Sequence, residues 1–322
     1  MSEYQYYEFR TIDRPLGEAD RRALRTLSTR ARITATSFTN SYEWGDFKGD
    51  PDELMEQWFD LHLYLANWGT HRLIIKLPAQ MIDRRGLDAF LEKVDCAVVR
   101  AVGAALILDI TRDELDVDDD WDEEAGWLAA LAPLRGELLS GDLRLLYLLW
   151  LIAVEDEVLQ ADEPEPLSGI GPMTEALETF AAFFGIDPDL VEAASEADIL
   201  PDSRRTVGEL RARALAIRRA RERTQADKAA AERKRREREA EKARRMRLDA
   251  IIRQGDGVWC EIESEIERRN AAGYDKAMSL LFDLKTIAEE QGSIEEFQHR
   301  LRAIRENHAR KGRFIERLAA LG

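Results

Sequence analysis

The chain has 322 residues, is 45% hydrophobic and 34% charged, and carries a formal net charge of −16. That length allows two or three domains with sizeable cores, while no run reaches the ~20 apolar residues of a membrane span. The opening MSEYQYYEFR lacks the cationic start and apolar run of a signal peptide, and Cys96 and Cys260 are isolated, so no disulfide framework or zinc cluster can be built from them and the expected compartment is the reducing cytoplasm.

Tyr4–Ile12 alternates aromatic and polar residues and predicts a strand. Pro15 opens a helix to about Ala31, with Leu16, Leu24 and Leu27 inward, and the β-branched Arg32–Phe38 predicts a second strand. Asn40–Asp50 reads as a loop. Asp50, Pro51 and Glu53 form an N-terminal capping signature for a helix expected to reach Ala66, with Leu54, Trp58, Leu61 and Leu65 inward. Asn67–Thr70 turns the chain into a strand at His71–Leu77. A short helix at Leu87–Lys93 then leads to one or two strands around Gly103. Alternating strands and helices predict a mixed sheet, compatible with a ferredoxin-like or related open order.

Asp109–Glu124 contains ten carboxylates and one cation, Arg112. Asp116, Asp118 and Asp120 have the spacing of a calcium loop, but Trp121 stands where its glycine belongs and Trp127 where its glutamate belongs, so an acidic connector is the better reading. From Trp121 to Asp198 the pattern is helical: Trp127–Leu131, Leu134–Leu139, Leu143–Leu159 behind Asp142, Met173–Phe184 and a helix opened by Asp187–Pro188, with a Pro/Gly turn at 161–172.

Ser203–Ile252 is dominated by Ala, Arg, Lys and Glu, which favour helix because unbranched side chains lose little rotamer freedom. Between Glu222 and Arg245 there is no large apolar residue, so a helix here has no face to bury and must be held by side-chain pairs such as Glu232–Arg236 and Glu241–Arg245, with Lys228–Glu232 and Arg233–Glu237 in the weaker order. About 48 residues give a rod of about 70 Å. Residues 203–250 carry 18 Lys and Arg against 8 Asp and Glu, whereas residues 1–202 carry 17 against 42. The rod is either a solvated linker or a binder of something acidic, nucleic acid or the chain's own acidic half. Its apolar spacing does not suit a coiled coil. After Gly255–Gly257 come short helices with faces at Val258, Ile262, Ile266; Tyr274, Ala277, Leu281, Leu284, Ala288; and Phe297, Leu301, Ile304, the last behind a Ser293–Glu296 capping box.

The sequence therefore predicts an α+β protein: an N-terminal mixed α/β sheet domain (1–112), an all-helical domain (113–202), a long exposed basic single helix (203–252) and a C-terminal helical hairpin bundle (253–322). No P-loop, dinucleotide, zincin or nucleophile-elbow motif is present, so no catalytic residue, cofactor or metal ligand is assigned. The glycines of Gly45–Gly49 before a helix suggest an anion loop, but Asp46 and Asp50 already supply negative charge. His62, one position from the Leu61 stripe, and His71 lack a Cys, His or carboxylate at metal spacing and read as satisfied or surface histidines, while His299 and His308, among cations, read as surface residues. The candidate recognition surface is the pair of aromatic–glycine turns, with Trp44, Asp46, Phe47 and Lys48 in one and Asn67, Trp68, His71 and Arg72 in the other. As sequence, these turns lie at opposite ends of the 51–66 helix, and their aromatics can equally fold back on the core. Candidate phosphate or acidic-partner contacts are Arg233, Lys234, Arg235, Arg236, Arg244 and Arg245.

Two segments carry resemblances. YYEFRTIDRPL, ARITATSFTNSYEWGDFKGDP, LYLANWGTHRLIIKLP and LAPLRGELLSGDLRLLYLLWL resemble an uncharacterised bacterial protein family over about the first 200 residues, which brings no activity. The roughly 65 residues from VWCEIESEIERRN to the end resemble the helical segment of bacterial SWIM zinc-finger proteins. The CxC and CxH zinc ligands of that family are absent, so neither the metal nor its nucleic-acid role carries over. The resemblance implies a helical docking module. The leading expectation is a non-catalytic cytoplasmic adaptor for other proteins, with the rod setting a distance between two docking parts. Its alternatives are a nucleic-acid-associated protein using the basic helix and an enzyme seated at the Trp44 and Trp68 turns.

Overall fold

A computed structural model describes residues 4–115, 126–196 and 204–321. The class is α+β, and the chain divides by contacts into two units, residues 1–222 and 223–322.

Unit 1 is built on a seven-stranded sheet ordered β2-β3-β1-β4-β5-β7-β6. The strands are β1 (Gln5–Arg10), β2 (Arg32–Ile33), β3 (Ser37–Tyr42), β4 (Leu61–Ala66), β5 (His71–Pro78), β6 (Ala97–Val102) and β7 (Ala105–Arg112). Every pairing is antiparallel, so the anticipated mixture of strand directions is not there. Short hairpins join β2 to β3, β4 to β5 and β6 to β7, and a hairpin connection can only produce antiparallel neighbours.

The largest correction concerns residues 51–66. The helix α2 (Pro51–Gln57) forms behind its Asp50 cap but ends there, and Leu61–Ala66 is the central strand β4. Leu54, Trp58, Leu61 and Leu65 satisfy helical spacing, yet Leu61, Leu63 and Leu65 also recur every second residue. Between two apolar layers the period of two wins, because both faces of the strand are then buried. Asp60 marks the break, its carboxylate accepting the backbone N–H groups of Ile12 (2.6 Å) and Asp13 (2.9 Å). Two smaller corrections follow. The strand expected at 32–38 is the hairpin β2–β3, turned at Thr34–Ser37 and carrying Asn40–Tyr42 within a strand. Helix α1 starts at Glu18, not Pro15, and ends at Leu27.

One sheet face packs Tyr7, Phe9, Phe38, Ile74 and Ile107 against Leu24 of α1 and against Leu54 and Met55 of α2. The other face packs Leu61, Leu63, Leu65, Leu73 and Ile75 under a helical layer. That layer contains α3 (Arg84–Leu91), α4 (Trp127–Leu131), α5 (Pro133–Leu139), α6 (Arg144–Glu155), α7 (Glu175–Phe183) and α8 (Pro188–Ser195). The helices expected to form a separate domain at 113–202 therefore share one core with the sheet. The reason is α6: Leu145–Val154 is buried on every side, and a helix without a polar face must lie between other elements.

Helix α9 (Val207–Gln254) is the long basic helix, and it is not a domain of its own. Val207, Leu210, Ala214 and Ile217 sit in the core of unit 1, spaced three and four residues apart. Residues 218–247 are exposed throughout, as the missing apolar stripe requires. Leu248 and Ile251 then enter the core of unit 2 with Val258, Ile262, Leu281 and Phe314. Unit 2 adds α10 (Gly257–Glu267), α11 (Ala271–Gln291), α12 (Ile294–Asn307) and α13 (Gly312–Leu318). The expected Ser293–Glu296 capping box does not form; the Ser293 side chain makes no cap bond, and Glu296 faces Arg300 instead.

Candidate functional site at one end of the sheet

The strand at 61–66 changes the relation between the two aromatic–glycine turns. Gln5 of β1 is paired with Tyr42 on one side and with Ala66 on the other. Both turns therefore leave the same end of the sheet, flanking β1. Trp44 and Trp68 each stand two residues beyond the partner of Gln5, and two strand spacings put these exits about 10 Å apart. Side chains tie the turns to β1: Gln5 Nε2 donates to Asp46 Oδ1 (3.3 Å) and the Tyr4 N–H donates to Asn67 Oδ1 (2.9 Å).

Trp44 is 74% exposed and Trp68 49% exposed, so neither indole folds back on the core. The Trp68 Nε1–H donates to Thr70 Oγ1 (3.1 Å), and the Thr70 hydroxyl donates to Asp113 Oδ1 (2.5 Å), which brings a carboxylate beside the second indole. Gly69 fixes this turn. It sits at φ +92°, and a Cβ there would lie 2.4 Å from the carbonyl oxygen of Leu115. Gly69→Ala is expected to cost roughly 1–2 kcal/mol, measured as a lower Tm in thermal unfolding. An unchanged Tm would show that residues 113–115 yield freely.

The remaining candidates have other roles. Phe47 is buried and packs on Tyr7 at 5.0 Å, so it anchors its loop from beneath. His71 and Arg72 follow one another on β5 and point to opposite faces. The His71 Nδ1–H donates to the Phe183 carbonyl (2.5 Å), and burial lowers its pKa. Arg72 is bound to Asp109 (2.6 Å) and Asp52 (2.8 Å), and the Asp109 hydrogen bond raises its pKa. Lys48 is exposed. The end of the sheet thus gathers Trp44, Asp46, Asn67 and Trp68, joined by Thr70 and Asp113, which sequence reasoning missed. The alternation of LHLYLA was the available signal.

Along α9 the structure separates two groups of cations. Near its start, Arg205, Arg213, Arg218 and Arg221 pair with carboxylates of unit 1: Glu165 (3.1 Å), Glu196 (2.5 Å), Asp189 (3.0 Å) and Glu192 (2.7 Å). Farther on, Arg236 pairs with Glu232 (2.6 Å), Arg233 with Glu237 and Arg235 with Glu239 (both 3.7 Å), and Arg245 with Glu290 (2.8 Å) rather than the expected Glu241. Lys234 and Arg244 make no ion pair among the described residues. The calcium-loop reading at Asp116–Trp127 lies almost entirely outside the described residues.

Unit 2 has a crevice of about 190 Å³ lined by Ile251, Ile252, Trp259, Leu284 and Phe297. The Arg300 guanidinium lies 5.4 Å from the Trp259 ring centre and pairs with Asp256 (2.5 Å). No helix among the described residues is long and apolar enough to cross a membrane. A scan against family models matches no family, and searches of the curated proteins and of the solved structures find no match.

Proposed function

We propose that the protein is a non-catalytic cytoplasmic adaptor that joins protein partners, one through the Trp44/Trp68 end of unit 1 and another through the helical unit 2. The observation that supports this most directly is the pair of exposed indoles at one end of the sheet. Large aromatic side chains left in water are costly unless a partner covers them, and Trp is enriched among residues that carry binding energy. The half-exposed Ile252 beside the Trp259 crevice supports a second docking point, in keeping with the docking role implied by the tail's likeness to the SWIM-associated helical segment.

The test is chemical cross-linking and capture with the full chain in three forms: unaltered, Trp44→Ala/Trp68→Ala, and Ile252→Glu. Each variant is expected to lose its own subset of captured proteins by about tenfold or more and to retain the other subset. If both variants keep the whole set, the adaptor reading fails.

A second reading, phosphate binding by the basic helix, is supported by the exposure of residues 218–247, which hold 14 Lys and Arg against 6 Asp and Glu. Its signature is duplex DNA binding that falls by orders of magnitude between about 50 and 200 mM salt.

A further inference from the structure

Among the described residues, the helical layer that covers β4 to β7 leaves the same face of β1, β3 and β2 open, and this open shelf is unlike the rest of unit 1. Strand register places its side chains. Arg32 is opposite Thr39, and Thr39 is opposite Glu8, so the three stand in one row. Two residues along each strand, on the same face, Ser41 stands opposite Tyr6 and Ser37 opposite Arg10. Arg30 and Gly126 border the shelf, which encloses about 520 Å³.

Charge is the distinguishing feature. Residues 1–202 carry 42 carboxylates against 17 cations, yet among the described residues the shelf is lined by Arg10, Arg30 and Arg32 and by one carboxylate, that of Glu8. Glu8 is already engaged: Tyr6 Oη donates to it at 3.0 Å and Arg10 Nε at 3.2 Å. Arg30 and Arg32 make no ion pair among the described residues and are exposed. Arginine is the residue best suited to bidentate binding of oxyanions.

We propose that this shelf binds a small phosphorylated molecule of about nucleotide size, with its phosphate held by Arg10, Arg30 and Arg32 and its remaining polar groups met by the hydroxyls of Thr39 and Ser41. The three guanidinium groups less the Glu8 carboxylate leave a charge of about +2, which matches the −1.5 to −2 of a phosphomonoester at pH 7 and exceeds the single charge of a carboxylate. The volume lies in the range of small-molecule sites, roughly 300–1,000 Å³. This site is separate from the Trp44/Trp68 end and does not depend on the adaptor reading.

Isothermal titration of the full chain tests it, with pyrophosphate and ADP as phosphate probes, succinate as the carboxylate probe and a short poly-glutamate peptide as the acidic-chain probe. The phosphate probes are expected to bind with Kd below about 1 mM. Arg30→Gln/Arg32→Gln is expected to weaken them by about tenfold or more. Thr39→Glu, which sets a carboxylate between Arg32 and Glu8, is expected to do the same, while Arg21→Gln/Arg22→Gln on the exposed face of α1 leaves binding unchanged. Circular dichroism confirms that each variant is folded. Three outcomes overturn the proposal: no phosphate binding up to about 5 mM, undiminished binding in Arg30→Gln/Arg32→Gln (which would place the anions on the basic helix), or succinate or poly-glutamate binding as well as the phosphates.

Discussion

Replacing Glu165 by alanine is expected to remove about 3–5 kcal/mol of stability from unit 1, the range found when one partner of a buried ion pair is deleted. Glu165 is fully buried. Its carboxylate accepts the backbone N–H of Arg205 (2.9 Å), the Arg205 guanidinium (3.1 Å) and the Tyr147 hydroxyl (2.5 Å). The backbone closes the same junction, since the Glu165 N–H donates to the Arg205 carbonyl (2.8 Å) and Pro164 bridges Thr206. These contacts seat the start of α9 on the helical layer, just before Val207 and Leu210 enter the core. Removing the carboxylate takes a hydrogen-bond acceptor from the Tyr147 hydroxyl and a negative charge from beside the largely buried Arg205 guanidinium, and both penalties add.

The measurement is urea unfolding followed by tryptophan fluorescence, which reports mainly on unit 1 because Trp259 is the one tryptophan of the seven outside it. Glu165→Gln, which keeps the shape and part of the hydrogen bonding, is expected to lose less. Glu165→Leu combined with Arg205→Met removes both charges and is expected to recover most of the loss. A midpoint for Glu165→Ala within about 1 kcal/mol of the unaltered chain would show that water or rearrangement replaces the carboxylate.

What could be read from the sequence divides along a physical line. Elements whose signal is local were legible. The Asp50–Pro51 cap started α2 where expected, the all-apolar Leu145–Val154 was buried, and the chargeable stretch after Arg218 is helical and exposed. Features that need two distant segments were not legible. Leu61 and Leu65 fitted two periods at once, and only the neighbouring strands β1 and β5 decide between them. The Trp44 and Trp68 turns were singled out for their composition, but their convergence depends on Gln5 lying between Tyr42 and Ala66. Glu165 and Arg205 are forty residues apart in sequence, with no spacing rule to join them. Arg10 and the Arg30–Arg32 stretch come from two segments whose common face appears only with the sheet register.

His62 makes the stability of unit 1 depend on pH between about 4.5 and 6.5. Of the satisfied or surface histidine expected here, the surface alternative falls: His62 is fully buried on β4, stacked on Phe9 with ring centres 3.9 Å apart. Because a carbonyl only accepts, the 3.0 Å contact with the Glu8 carbonyl fixes the proton on Nδ1, and Nε2 has no hydrogen-bond partner among the described residues. Burial therefore lowers the His62 pKa to about 3, against the opposing effect of the Glu8 hydrogen bond. The unfolded chain takes up a proton near the ordinary histidine pKa of about 6.5, and the folded chain does not. Stability is then complete above pH 6.5 and falls as pH falls towards the folded value, because the unfolded state binds more protons throughout that window. His71, also lowered by burial, acts in the same direction. Carboxylates held low by arginine, such as Asp142 beside Arg144, add their loss only below their own ordinary range, so the interval from 6.5 to 4.5 belongs to the histidines. Across it His62 is expected to cost roughly 2–3 kcal/mol. His62→Gln retains a donor for the Glu8 carbonyl but cannot titrate. Urea midpoints taken from pH 7.5 to 4.5 are expected to fall steeply for the unaltered chain and to flatten in the variant, leaving the slope from His71. Equal slopes for the two proteins would mean that His62 is protonated within the fold, and that the stack on Phe9 opens to water as the pH drops.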